Sequence, residues 1–252
     1  MTTPIPGSMG YEQAVVLPLG LSTAACALFQ KDYLALPFPT ISPSSTGQTV
    51  LIWGGSTSVG NNAIQLACAA GYEVISTASP KNHDLLKTLG AAEVFDYNSP
   101  NVVKDIIAAF KGRTCAGAVS IGRNSFKKCI DIVGASNGTK KFVAQATLDV
   151  GAFPKGALDF PGFMVSAVGA LVSGNIRSSM RGVSTKMING STLVNNEVGK
   201  AIYVDYLPQA LEQGVFVPSP EPEVVGHGLE QVQKAMDLAK KGVSAKKLVV
   251  TL

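Results

Sequence analysis

The sequence predicts an α/β protein with a doubly wound parallel sheet, and three observations carry that prediction. Short apolar, strand-like runs alternate with helix-like runs from residue 49 to residue 188. The first of these runs passes through a glycine-rich turn directly into a helix, TVLIWGGSTSVGNNAIQLACAAG over residues 49–71. The 252 residues are 46% hydrophobic and 15% charged, which supplies enough apolar surface for a large core and excludes a disordered chain.

Residues 12–30 read as a helix interrupted near Pro18, and Val15, Val16, Leu19, Leu21, Ala24, Ala25 and Leu28 give it more apolar surface than one stripe needs. Residues 36–48, rich in Pro, Ser and Thr, form a loop. Residues 49–53 are a buried strand, and a helix starts near Ser58 with Ala63, Leu66, Ala67 and Ala70 at helical spacing and Gly71 as a left-handed cap. A second strand follows at 73–77, then a helix at 84–89 stopped by Gly90, a strand at 93–95, and an amphipathic helix at 101–111. Strands at 116–121 and 141–146 flank a helix at 126–133. Residues 185–188 read as a strand, 189–191 as a turn, and 195–213 as a helix with Ile202, Tyr203, Leu207 and Leu211 inward. The tail has Pro218, Pro220 and Pro222, then a helix from Gly228 to 240 and a strand over 247–252.

The turn at residues 54–60 has the spacing Gly54-x-x-Thr57-x-x-Gly60, with Thr57 where many such loops carry their middle glycine. At the start of a helix the backbone N–H groups and the helix dipole together attract a phosphate, so Gly54, Gly55, Ser56, Thr57, Ser58, Val59 and Gly60 are expected to hold a dinucleotide diphosphate in a Rossmann unit. Hydroxyls from Ser56, Thr57 and Ser58 are expected to add bonds to the phosphate oxygens. NAD-binding units end the second strand in an acid; here the run is Ser76-Thr77-Ala78-Ser79-Pro80-Lys81-Asn82-His83, with no acid until Asp84. That favours NADPH, with Ser79 and Lys81 on the 2′-phosphate, although Lys81 also reads as a solvated lysine and His83 as a surface helix residue. The strand ends around Ile121, Gly122 and 144–146 are expected to face the nicotinamide.

The runs LPLGLSTAA, GGSTSVG, TASPKNHDLLKTLGAAEVFDY and KKGVSAKKLVV resemble the medium-chain dehydrogenase/reductase superfamily. More narrowly, they are similar to its fungal zinc-type alcohol dehydrogenase-like branch, which includes cipB-like proteins and trans-acting enoyl reductases. The resemblance runs from about Glu12 to Leu252. It implies that a GroES-like domain precedes this region in the family and that the sequence starts where that domain ends. It implies that Ser22-Thr23 touches the nicotinamide end of the cofactor; hydroxyls bonded back to the preceding helical turn are the alternative. It also implies that Tyr97 lies against the adenosine end, the alternative being a half-exposed aromatic at the sheet edge. The expected organisation is an N-terminal interface helix region over 1–36, an NADP-binding Rossmann domain over 37–214, and a C-terminal remnant of the catalytic domain over 215–252. Within it, 148–182 is a lid over the substrate pocket or a contact with a second subunit in a homodimer. Arg177, Arg181 and Lys186 meet an acidic substrate or, preferably, solvent.

The implied activity is NADPH-dependent reduction of an activated C=C or C=O in a small-molecule substrate (enoyl, quinone or carbonyl), in secondary metabolism. Tyr203, Tyr206 and Lys246 are the weak candidates for a proton donor, and Lys246 and Lys247 also for phosphate or substrate contacts. Alternatives are a scaffold that binds nucleotide without turnover and a lyase or cyclase using the same cleft. The net charge of +4 is dispersed over separated lysine pairs, so no nucleic-acid partner is expected. The apolar run FPGFMVSAVGALVS falls short of the roughly 20 residues that cross a bilayer, so no membrane is expected either. Cys26, Cys68, Cys115 and Cys129 are widely spaced and only two histidines accompany them, so no metal site is expected. MTTPIPGSMG lacks the character of a signal peptide, which points to reduced thiols and a cytoplasmic location.

Overall fold

Alternating strands and helices build one twisted layer in the computed structural model, which describes residues 3–138, 140–148, 156 and 159–252. Helices α1 (Tyr11–Ala14) and α2 (Pro18–Phe29) come first, separated where Pro18 takes the first-turn position that needs no N–H. There follow β1 (Gln48–Trp53), α3 (Ser58–Ala69), β2 (Glu73–Ala78), α4 (His83–Thr88), β3 (Glu93–Asp96) and α5 (Val102–Ala109). Next come β4 (Thr114–Ser120), α6 (Phe126–Ala135), β5 (Phe142–Gln145), α7 (Phe160–Arg181) and β6 (Ser184–Met187). All strand pairs in this sheet are parallel, in the order β3-β2-β1-β4-β5-β6. The order reverses between β1 and β4, and such a reversal opens a crevice at the C-terminal ends of those two strands.

Side chains of β1 alternate between two cores, as a strand buried on both faces must. Val50 and Ile52 join α2 and α3, whereas Leu51 and Trp53 join α5 and α6. Most of the apolar excess of α2 has its explanation here: Leu21, Ala24, Ala25, Cys26, Ala27, Leu28 and Phe29 are all buried, whereas Leu19 is exposed. By length and composition the span Tyr11–Phe29 could cross a membrane; its α2 part is the partner of α3 in the core, and α1 has no buried residue. The two helices are so close that a Cβ on Gly20 would lie 2.8 Å from the Ser58 carbonyl oxygen.

Several expectations are corrected. Of the segment 148–182, residues 149–155, 157 and 158 lie outside the described residues, as do 1, 2 and 139 elsewhere. α7 extends well past the apolar run and docks by its C-terminal half, with Gly174 against Phe126 of α6. Arg177 does not simply meet solvent: its Nε and Nη2 bond both carboxylate oxygens of Asp131 on α6 at 2.8 and 2.5 Å, and Arg181 Nε lies 3.5 Å from the same group. Lys186 pairs with Asp32. The helix expected at 195–213 is present as one unbroken run, α8 (Glu197–Lys200), a π-helical turn (Ala201–Tyr206) and α9 (Leu207–Glu212), with Ile202, Tyr203, Leu207 and Leu211 buried; the π turn was not foreseen. Pro208 lacks the N–H that would continue the α ladder there.

The tail holds a strand that the prolines hid. β7 (Glu221–His227), α10 (Val232–Lys241) and β8 (Lys246–Thr251) form a parallel β-α-β unit with its own two-stranded sheet. Pro222 is tolerated because neither strand has a second neighbour to miss its N–H. Gly228, at φ +93°, stands between β7 and the helix expected there: it caps a 3₁₀ turn (Leu229–Gln231) that runs directly into α10, and its carbonyl accepts from the Gln231 N–H at 3.1 Å.

Candidate dinucleotide site

The chain turns sharply after Trp53. Gly54 has φ +84°, and its N–H donates to Thr77 Oγ1 at 3.0 Å; the Gly55 N–H donates to the Thr77 carbonyl at 2.9 Å. A Cβ on Gly55 would meet Ser76 Oγ at 2.2 Å and Leu86 at 2.4 Å, and one on Gly60 would meet the Gly54 carbonyl oxygen at 2.3 Å. The glycines therefore let the loop press onto β2, α4 and itself.

Thr57 departs from expectation. Its hydroxyl donates to the Gly54 carbonyl at 2.8 Å and accepts from the Gly60 N–H at 3.0 Å, capping α3 instead of facing a ligand. The N–H groups of Ser56, Ser58 and Val59, and the hydroxyls of Ser56 and Ser58, have no protein partner among the described residues. Three donors at the positive end of a twelve-residue helix form an anion cradle that suits a diphosphate.

At the far end of β2 the Ser79 hydroxyl lies 3.1 Å from the Tyr97 hydroxyl, so these two candidates are brought together. Lys81 follows, exposed, in a 3₁₀ turn. Asp84 lies in the exposed first turn of α4, and Asp96 Oδ1 accepts from the Asn98 backbone and side-chain N–H groups at 2.9 and 3.1 Å, closing a local turn. His83 Nε2 sits 3.2 Å from the Ala78 carbonyl oxygen. Lys128 of α6 escaped the sequence reading: its ammonium lies 5.2 Å above the Trp53 ring and donates to the Tyr97 carbonyl at 3.5 Å.

On the other side of the reversal point, the Ile121 N–H donates to the Trp53 carbonyl at 3.2 Å. Gly122, at φ +94°, donates to Thr147 Oγ1 at 3.1 Å and accepts from Ser125 Oγ at 2.6 Å; nothing lies within 4 Å of where its Cβ would be. Thr23 Oγ1 donates to the Leu19 carbonyl at 2.8 Å, the bond back along the helix, and borders the turn at Gly190.

The three proton-donor candidates are not brought together. The Tyr203 hydroxyl lies 2.6 Å from Ser22 Oγ, donates to the Pro18 carbonyl at 3.1 Å, and forms the wall of an apolar cavity of about 600 Å³ with Ile5, Tyr11, Val15, Leu207 and Leu211. Burial pushes this phenol above its ordinary range. Tyr206 is a core residue, edge-on to Phe216 at 6.2 Å, with its phenol pushed up to about 12 by burial. Lys246 pairs with Glu223 at 3.5 Å on the separate two-stranded sheet.

A polar clamp along α3 also escaped the sequence reading. Asn61, Asn62 and Gln65 are buried and bond the segment 217–219 ahead of β7. The signal was the pair of asparagines, with a glutamine one turn on, inside an otherwise apolar helix. Among the described residues no three of His, Cys, Asp and Glu converge, and His83 lies on α4 whereas His227 lies on β7. These side chains do not fit a zinc ion.

The family profile described as zinc-binding dehydrogenase matches residues 58–189. The dehydrogenase pigH of Monascus ruber is 48% identical over 254 residues, covering 100% of this chain and 68% of its own length. The trans-enoyl reductase himH of Aspergillus japonicus is 38% identical, covering 98% and 64%. The crystal structure of the CurK enoyl reductase superposes with a TM-score of 0.67 at 19% identity, over 98% of this chain and 64% of that one, a likeness of fold.

Proposed function

Because the chain belongs to the zinc-binding dehydrogenase family, in a fungal branch of the medium-chain dehydrogenases/reductases, we propose that it binds NADPH and reduces an activated C=C or C=O bond of a small enoyl, quinone or carbonyl substrate in secondary metabolism. The observation that carries the proposal is the set of unpartnered N–H groups of Ser56, Ser58 and Val59, at the helix start beside the point where strand order reverses. In this reading those groups hold the diphosphate. Lys81 with the Ser79 and Tyr97 hydroxyls takes the 2′-phosphate, and Ile121, Gly122 and Thr23 border the nicotinamide. Residues 37–214 form the cofactor domain, with 148–182 as its lid or subunit contact and 1–36 and 215–252 as flanking segments.

When bound, the nicotinamide supplies the hydride chemistry. The chain has to orient the acceptor, keep water out and deliver a proton. The apolar cavity beside Tyr203 suits the hydrophobic body of such an acceptor. Of the three candidates only Tyr203, with Ser22 as its neighbour, borders that cavity, which makes it the preferred donor even though burial raises its phenol and so weakens it as an acid. The enoyl class draws on himH. Loss of NADPH absorbance with a panel of enoyl thioesters, quinones and aldehydes tests the activity. Turnover of none of them, with NADPH bound, would leave a second reading, nucleotide binding without turnover. That reading is favoured by one observation: Tyr203 and Lys246 are already engaged within the protein and Tyr206 is in the core.

A further inference from the structure

Ser219 lies in the proline-rich stretch ahead of β7, yet its hydroxyl and its carbonyl are both held by the first turns of α3. Its hydroxyl donates to Asn61 Oδ1 at 2.5 Å, across 158 residues of chain. Its carbonyl accepts from Asn62 Nδ2 at 3.2 Å, and the same Nδ2 donates to the Ser58 carbonyl at 2.7 Å. Asn61 is fully buried, and its Nδ2 donates to the Gly55 carbonyl at 2.5 Å. A peptide unit is planar and trans, so its C=O and N–H point in opposite directions. A Gly55 carbonyl drawn inward onto Asn61 therefore turns the Ser56 N–H outward, into the cradle.

We propose that Asn61 and Ser219 are positioning residues for the diphosphate cradle, acting through the Gly55–Ser56 peptide. Asn61 fixes the plane of that peptide. Ser219 fixes Asn61, because a hydroxyl donating to Oδ1 leaves Nδ2 for the Gly55 carbonyl. The tail thus completes a loop that lies far from it in sequence. The inference rests on the reading of the loop as a dinucleotide site.

The test is calorimetric titration of the full chain and of Ser219→Ala and Asn61→Asp with two ligands. NADPH carries the diphosphate; 2′-AMP carries the adenosine and 2′-phosphate without it. The expected result is a loss of NADPH affinity of about three- to tenfold in Ser219→Ala, and at least as much in Asn61→Asp, with 2′-AMP affinity unchanged. A variant that merely unfolds in part would weaken both ligands alike, so the ratio reads positioning alone. Equal weakening of both ligands, or no change for NADPH in either variant, would overturn the positioning role. Failure of the unsubstituted chain to bind NADPH would overturn the cofactor reading itself.

Discussion

A hydroxyl at the start of a helix can serve a ligand or its own backbone, and this loop divides the two duties residue by residue. Thr57 closes on the Gly54 carbonyl and the Gly60 N–H, while the hydroxyls of Ser56 and Ser58 have no protein partner among the described residues. The glycines were legible in the sequence because no other residue fits where a Cβ would meet neighbours at 2.2 to 2.3 Å. The role of Thr57 was not, since a cap and a ligand contact ask for the same residue type. Lys81, exposed beside Ser79, allows the proposed 2′-phosphate contact to be tested by itself. Lys81→Ala should weaken NADPH about tenfold by calorimetry and leave NADH unchanged, a charge-assisted bond to the 2′-phosphate being the interaction lost. Equal effects on both nucleotides would refute the assignment. Burial also sets a pH dependence: the Cys68 thiol is raised to about 11 from 9.0 and the Tyr206 phenol to about 12 from 10.0. Both groups lose their protons more readily in the unfolded chain. Their contribution is complete below pH 9.0 and disappears as pH climbs toward 11 and 12. The melting temperature should therefore fall above about pH 9, and Cys68→Ala should flatten the first part of the fall. An unaltered slope in that variant would contradict the assignment of Cys68.

Elements with a clean period were readable and those with competing signals were not. The six strands of the main sheet and helices α3 to α6 follow the apolar pattern, with boundaries displaced by a residue or two, whereas α7, between β5 and β6, was not read as a helix. β7 was missed because Pro218, Pro220 and Pro222 argue against a strand, a rule that lapses where a strand has only one neighbour. The clamp on α3 was missed because Asn61, Asn62 and Gln65 find their partners some 150 residues away, information that no local window carries. Helix-on-helix contact yields a prediction of its own. Gly20→Val places a branched side chain where even a Cβ would be 2.8 Å from the Ser58 carbonyl. It should cost about 1–3 kcal/mol in chemical denaturation and, because Ser58 stands in the cradle, also weaken NADPH. Unchanged stability would mean that α2 and α3 can part without loss.

At the scale of the whole molecule, the parallel order β3-β2-β1-β4-β5-β6 puts the glycine turn, the Ser79–Tyr97 corner and Gly122 at the C-terminal ends of strands in one sheet, although they are spread over almost seventy residues of sequence. That shared end of the sheet was legible, because parallel strands with short crossovers allow few topologies. The position of a proton donor was not, because it depends on where side chains beyond the sheet come to rest, as Tyr206 in the core illustrates. Ligand binding to the folded state alone must also raise the melting temperature, by an amount corresponding to about 2.7 kcal/mol at one hundred times Kd. The most direct test uses Trp53, the single tryptophan, 4% exposed and immediately ahead of the glycine turn. Saturable quenching of its emission by NADPH, far weaker with NADH and matched by calorimetric heat, is the expected result; no quenching and no heat with either nucleotide would contradict a dinucleotide cradle at residues 54–60.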